Sequence, residues 1–166
     1  MYRKEKNEKD VRYILEHLRE EDKHEAIIQK GENYVEECLK DIMGNSEYFV
    51  LGCKKSDDTP VCMGGCARTN EQGIGIVWLL TTPEIVNHQK CLLRNLKKDI
   101  ESFDEKFWMT FNFLYKENKL AKRWLSKFGY VFDKPSGMNI PEDFELFYRK
   151  RETRGLNHGR NTSTSI

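Results

Sequence analysis

The stretch spanning residues 118–130 constrains the fold most, because it reads as a short amphipathic helix stopped abruptly before a strand. Leu120, Ala121, Trp124, Leu125 and Phe128 recur at helical spacing, Asn118 is placed to cap the N-terminus, and Gly129 supplies the positive φ that closes a helix. Tyr130, Val131 and Phe132 then open a strand. The chain must therefore hold an αβ unit with one helix face laid against a sheet.

Upstream, a charged start leaves room for one short strand, and Val11, Ile14, Leu15 and Leu18 share one helix face with Asp10 as the expected cap. A second helix is expected over 19–28, stopped at Gly31, and a third over 32–43, with Tyr34, Val35, Cys38, Leu39 and Ile42 inward and Gly44-Asn45 as its stop. Residues 48–54 and 61–68 read as a hairpin across the turn at 56–60. Residues 75–80 are almost wholly apolar, as a central strand buried on both faces should be. Thr82-Pro83 looks like a helix start with Thr82 as cap, and Ile85, Leu92, Leu96, Ile100 and Phe103 carry a helical period for some twenty residues. A second central strand is expected over 107–115, and 130–133 with 144–149 form a closing hairpin around Pro135, Ser136 and Gly137. The reading is one domain over 1–150, with a polar, disordered tail over 151–166.

Composition narrows the function classes. The 166 residues carry a formal charge of +1, too balanced for a nucleic-acid binder that depends on a strong positive field. The longest apolar run, 74–80, cannot span a bilayer, and the mixed-charge N-terminus has no apolar leader core, so an intracellular, reducing compartment is expected. The five cysteines, Cys38, Cys53, Cys62, Cys66 and Cys91, contain no Cys-x-x-Cys pair and the histidines are scattered, so no metal site is expected. Cys62 and Cys66 should share one strand face as small buried apolar residues.

The spacing Asn118, Ala121, Trp124, Phe128, Gly129, Tyr130 resembles the fourth-helix motif of the Gcn5-related N-acetyltransferase (GNAT) fold, and the order of elements matches that arrangement. The resemblance implies an α/β fold with a mixed central sheet, N-terminal and flanking helices, and fourth and fifth strands that run parallel and splay apart to admit acetyl-CoA. Within it, the string Trp78-Leu79-Leu80-Thr81-Thr82, the segment Asn112-Phe113-Leu114 and residues 18–25 together look like the GNAT-like internal virion proteins of podophages, over roughly 11–150. That implies a host-cytoplasmic or virion-interior location and, as partners, virion or host proteins.

If the resemblance extends to chemistry, Leu80, Thr81 and Thr82 border the cofactor arm, Lys90 faces its phosphates, and Asn118 and Trp124 line the arm from the helix. The acceptor would be an amine on a small molecule or a protein. Glu25, Glu84 and His88 are the candidates for general base. Tyr115, with Tyr130 as a further candidate, could protonate the leaving thiolate. Arg19, Asp22 and Glu25, three residues apart, form either the frame of a substrate cleft or an ion-paired helix junction. Two departures favour a catalytically inactive virion, assembly or host-binding protein. Residues 84–90, in place of the family's glycine-rich phosphate loop, hold no glycine, so Ile85 and Val86 should crowd that approach and Glu84 should repel phosphate. Leu125 stands where family enzymes often place a tyrosine.

Overall fold

The computed structural model describes residues 1–44, 48–133, 137 and 139–151. It opens with strand β1 (Tyr2–Lys4), then helices α1 (Glu8–Glu16), α2 (Glu20–Lys30) and α3 (Tyr34–Gly44). Strands β2 (Phe49–Cys53), β3 (Pro60–Arg68) and β4 (Ile74–Thr81) follow. A 3-10 turn (Pro83–Asn87), helix α4 (Gln89–Asp104), strand β5 (Met109–Tyr115), helix α5 (Lys119–Lys127) and strands β6 (Val131–Asp133) and β7 (Phe144–Lys150) complete the described chain. The strands form one sheet in the order β1-β2-β3-β4-β5-β7-β6, antiparallel except for the parallel β4–β5 pair. Asn45, Pro135, Ser136 and the tail from 152 lie outside the described residues, so the expectations placed on them stand there as sequence readings.

Two layers of helix sandwich the sheet. Val11, Ile14, Leu15, Tyr34, Leu39 and Ile42 of α1 and α3 bury against Leu51, Cys53 and Met63 on one face. On the other, Leu92, Ile100 and Phe103 of α4 and Trp124 of α5 pack over Val61, Cys62, Cys66, Val77 and Leu114. Cys62 and Cys66 thus share a face as expected, and burial pushes both thiols up to about 12. No helix among the described residues is long and apolar enough to cross a membrane.

Two local expectations are corrected. Asp10 does not cap α1; Asn7 does, its Oδ1 accepting from the Asp10 amide at 2.9 Å while its Nδ2 donates to the Asp10 carboxylate at 2.8 Å. Asp10 is instead a buried first-turn acid, ion-paired with Lys4 at 2.8 Å. Nor does a helix run on from Thr82. Thr82 does stand at the N-cap of a short helix, its carbonyl accepting from the Ile85 amide at 3.1 Å, but its own amide and hydroxyl both donate to the Val61 carbonyl, at 2.9 and 3.2 Å, so its side chain makes no capping bond. Ile85, fully buried, draws the next residues into a 3-10 turn, and α4 starts afresh after His88 at φ −121°. Gly129 does close α5 with φ +77°, and Asn118 caps it, accepting from the Ala121 amide at 3.3 Å.

Gly65 shows how tightly the centre of the sheet is built. A Cβ there would run into the Tyr48 carbonyl oxygen and press on the Trp78 ring. Gly65→Ala should therefore destabilise the protein by about 1 to 3 kcal/mol. Urea unfolding measures this, and a change within error would show that the chain just before β2 yields freely at Tyr48.

Candidate active site

The parallel strands β4 and β5 are in register at only three pairs, Ile74 with Met109, Gly75 with Thr110 and Ile76 with Phe111, and then part. Asn112 sits at the fork. Its Nδ2 donates to the Val77 carbonyl at 2.8 Å and its Oδ1 accepts from the Phe113 amide at 2.8 Å, so one side-chain amide stands in for the backbone partner each strand loses.

Helix α2 crosses the wide end of the opening. The Arg19 amide donates to the Thr81 carbonyl at 3.0 Å, and Asp22 Oδ2 accepts from the Thr81 amide at 2.9 Å and the Thr81 hydroxyl at 2.6 Å. Arg19 pairs with Asp22 at 2.6 Å, donates to Thr81 Oγ1 at 2.6 Å and lies over the Trp124 ring at 5.9 Å. On the other side of the opening, Glu25 Oε1 accepts from the Tyr115 amide at 3.3 Å and from Asn118 Nδ2 at 2.8 Å, and Asn118 Nδ2 also reaches Asp22 at 3.2 Å. The spacing of three places Arg19, Asp22 and Glu25 on one face of the helix, so α2 ties both parted strand ends to the cap of α5.

Arg19, Asp22, Thr81 and Asn118 are all buried, whereas Glu25 is partly exposed. Burial, reinforced by the nearby Asp22 carboxylate, raises the Glu25 pKa to about 7 against the opposing hydrogen bonds from Asn118 and Tyr115 and the charge of Arg19. At neutral pH this carboxyl is divided between its two protonation states.

Strand alternation decides which backbone groups enter the opening. The Thr81 amide and carbonyl are turned to α2 and the Val77 carbonyl to Asn112, so the residue between them, Leu79, turns its own N–H and C=O the same way. Leu80 pairs with Met63 of β3 and directs its backbone groups there. The sequence offered the whole stretch from Trp78 to Thr82 as the edge and could not single out Leu79, because every residue of 78–80 is apolar; only the hydrogen-bond parity of the folded sheet separates it from its neighbours. Leu79, Asn112, Leu114, Ala121 and Trp124 border a cavity of about 1140 Å³ that includes the gap between the strands and extends under the helices.

The other expected residues lie elsewhere. Glu84, in the 3-10 turn, is exposed and pairs with Lys54 at 3.8 Å. His88 separates that turn from α4, its carbonyl accepting from the Leu92 amide at 3.0 Å, and Lys90 stands exposed on the first turn of α4. Neither Glu84 nor His88 joins the Glu25 network. Tyr115 lies at the end of β5, its ring 4.3 Å from that of His24 and 5.9 Å from that of Phe144. Tyr130 is a core residue: its hydroxyl is 3.0 Å from Thr110 Oγ1, and burial raises it to about 12. Ile85 does not crowd the phosphate approach, since it is turned into the core; Val86 is exposed.

No family model matches the chain, and no curated protein matches it in sequence. Solved structures do match it in shape. A GNAT-family acetyltransferase from Staphylococcus aureus Mu50 superposes with a TM-score of 0.68 at 17% identity, over 91% of this chain and 99% of that one. A phosphinothricin acetyltransferase of the GNAT superfamily from Sinorhizobium meliloti, solved with acetyl-CoA, gives 0.65 at 12% identity over 90% and 88%. An aminoglycoside 6'-acetyltransferase type Ii gives 0.61 at 13% identity over 93% and 100%. At such identities the likeness speaks for architecture, and the expected α/β sheet with its splayed parallel pair is present: the chain has the fold of the GNAT-family acetyltransferases.

Proposed function

We propose that this protein transfers an acyl group, acetyl in the simplest case, from coenzyme A to a primary amine, with Glu25 as the general base. One observation carries the reading: a carboxyl with a pKa of about 7 is held at the opening between splayed β4 and β5 by the Tyr115 amide and Asn118. One protein of this shape is solved in complex with acetyl-CoA.

The residues present fit the coenzyme. The Leu79 amide and carbonyl offer an amide-bearing arm a strand edge. Trp124 and Ala121 give that arm an apolar wall. The amides of Gln89, Lys90 and Cys91 open α4 with no carbonyl one turn back in the helix, and Lys90 and Arg94 are exposed on its first turns, a setting that favours phosphate. The bound thioester would supply an electrophilic carbonyl carbon. Glu25 Oε1 is committed to two donors, leaving Oε2 to take the proton of the incoming ammonium. The freed nitrogen then forms its bond to the acyl carbon as the C–S bond breaks, and the second proton that the nitrogen sheds on becoming an amide passes to the leaving thiolate. No tyrosine hydroxyl is assigned to that last transfer, which a water can relay.

Two results should follow. The kcat/KM for the amine should rise about tenfold per pH unit below about pH 7 and flatten above it, because only ionised Glu25 accepts a proton; a flat profile from pH 5.5 to 8 would remove Glu25 from the mechanism. Titration calorimetry with acetyl-CoA and with CoA should show micromolar binding that Lys90→Glu with Arg94→Glu weakens about tenfold. The glycine-free turn at 83–87 and Leu125 favour a second reading, a cofactor-free domain serving virion assembly or binding a host protein, in keeping with the resemblance of 11–150 to phage internal virion proteins. Absence of heat at millimolar coenzyme would decide for it.

A further inference from the structure

The two faces of the splayed sheet are not equally covered. On β5, Thr110 and Leu114 point into the core under α4 and α5, so the alternate residues Phe111, Phe113 and Tyr115 point to the opposite face. On β4, Val77 and Leu79 pack toward α4 and α5, which leaves Ile76 and Trp78 on that same opposite face. Helices α1 and α3 cover the sheet there over β2 and β3, and α2 meets β5 at Tyr115. Ile76, Trp78, Phe111 and Phe113 are consequently only half-buried, and they floor a groove that ends at Glu25. The Phe111 and Phe113 rings stand edge to face at 6.4 Å, and Ile28 of α2, 49% exposed, forms the rim.

The charges bordering this groove are largely satisfied within the protein. Arg19 and Asp22 neutralise each other at 2.6 Å, and Lys30 and Asp41, farther along, do so at 2.5 Å. Among the described residues Glu25 is the carboxylate at the groove with no cation paired to it. A polyamine or an aminosugar presents several cations and many hydroxyls or amines, and an aromatic floor with one carboxylate leaves most of those without partners. A single ammonium on a flat apolar body matches the site: the charge meets Glu25 and the ring covers the half-buried aromatics.

Resting on the acyltransferase reading above, we infer that the acceptor is a primary monoamine carried on an aromatic or similarly flat apolar group, an arylalkylamine. Such an amine enters from the α2 face, while the coenzyme lies along Leu79 between the strands, so the two meet at the opening from opposite sides.

The test pairs turnover with binding. Thiol release from acetyl-CoA is followed with phenethylamine, tyramine, spermidine, a lysine-containing peptide and kanamycin as acceptors. Binding of phenethylamine is measured separately by calorimetry with no coenzyme present. The arylalkylamines should give kcat/KM at least about tenfold above the rest, and Phe113→Ala should raise their KM about tenfold while leaving the KM of acetyl-CoA unchanged. Phe113→Leu, which keeps the volume apolar, guards against a folding defect and should fall between the two. Higher kcat/KM for spermidine, the peptide or kanamycin overturns the inference and leaves the acyltransferase standing. Phenethylamine binding that Phe113→Ala weakens, in a protein that neither binds acetyl-CoA nor releases thiol, keeps the groove assignment and removes the acyltransferase. No binding and no turnover with any amine overturns both.

Discussion

Replacing Glu25 by glutamine should lower turnover by a factor of about 10² to 10³ and, at the same time, make the protein more stable at pH 8. The two effects come from one environment. Glu25 titrates near 7 in the folded chain, against an ordinary glutamate value of 4.5, chiefly because burial disfavours its charge. Between those two values the folded state binds the proton more tightly than the unfolded state, so stability falls as pH rises through the window and stays lower above it. The shift corresponds to roughly 3 kcal/mol at most, and about 1 to 3 kcal/mol is a fair expectation for a partly exposed group. Glutamine carries no charge at any pH and can still accept from Asn118 and the Tyr115 amide. The variant should therefore gain stability over wild type at pH 8 and differ little at pH 4, as read by urea unfolding at both. A loss of stability at pH 8 would mean that ionised Glu25 is a brace, and its role as a base held against its preference would have to be given up. This is the stability cost expected at a working site.

Asp22→Ala should be the most damaging single change in the network, at about 3 to 5 kcal/mol. Asp22 is 2% exposed and accepts from Arg19, the Thr81 amide, the Thr81 hydroxyl and Asn118. Its removal leaves the Arg19 guanidinium, 7% exposed, without a counter-charge and the end of β4 without its acceptor. Replacing both members of the pair, Arg19→Met with Asp22→Leu, should recover part of the loss, because an apolar pair needs no compensation while the Thr81 amide still costs about 1 to 3 kcal/mol. Urea midpoints with unchanged slopes measure all three proteins. A cost below about 1 kcal/mol for Asp22→Ala would show that water replaces the carboxylate and that α2 does not hold the strand ends.

These residues also show where sequence reasoning reached and where it stopped. Arg19, Asp22 and Glu25 were visible as a set because helical spacing places them on one face, but spacing leaves open what that face meets. A cleft frame and an ion-paired junction were both consistent with it, and the structure shows features of each: Arg19 and Asp22 are buried and paired, and Glu25 faces the opening. Glu84 and His88 were singled out by residue type and position in the chain, and they lie outside that network. Thr82 shows the limit of local signals. Thr-Pro does start a helix, but a 3-10 one of five residues, and two hydrogen bonds to Val61, 21 residues earlier in the chain, take the Thr82 amide and hydroxyl away from capping it.

Periodicity and punctuation alone determined the order of helices and strands, the cap at Asn118, the stop at Gly129 and the shared burial of Cys62 and Cys66. Each depends on forces acting within one turn of helix or one strand repeat. Which strand edge opens, that Leu79 turns its backbone groups into it while Leu80 turns its own to β3, that Asn112 bridges the fork and that Glu25 titrates near neutrality were decided only by tertiary structure. Those properties depend on which groups from distant parts of the chain satisfy each other's hydrogen bonds and which are left facing the gap, and no local pattern carries that information.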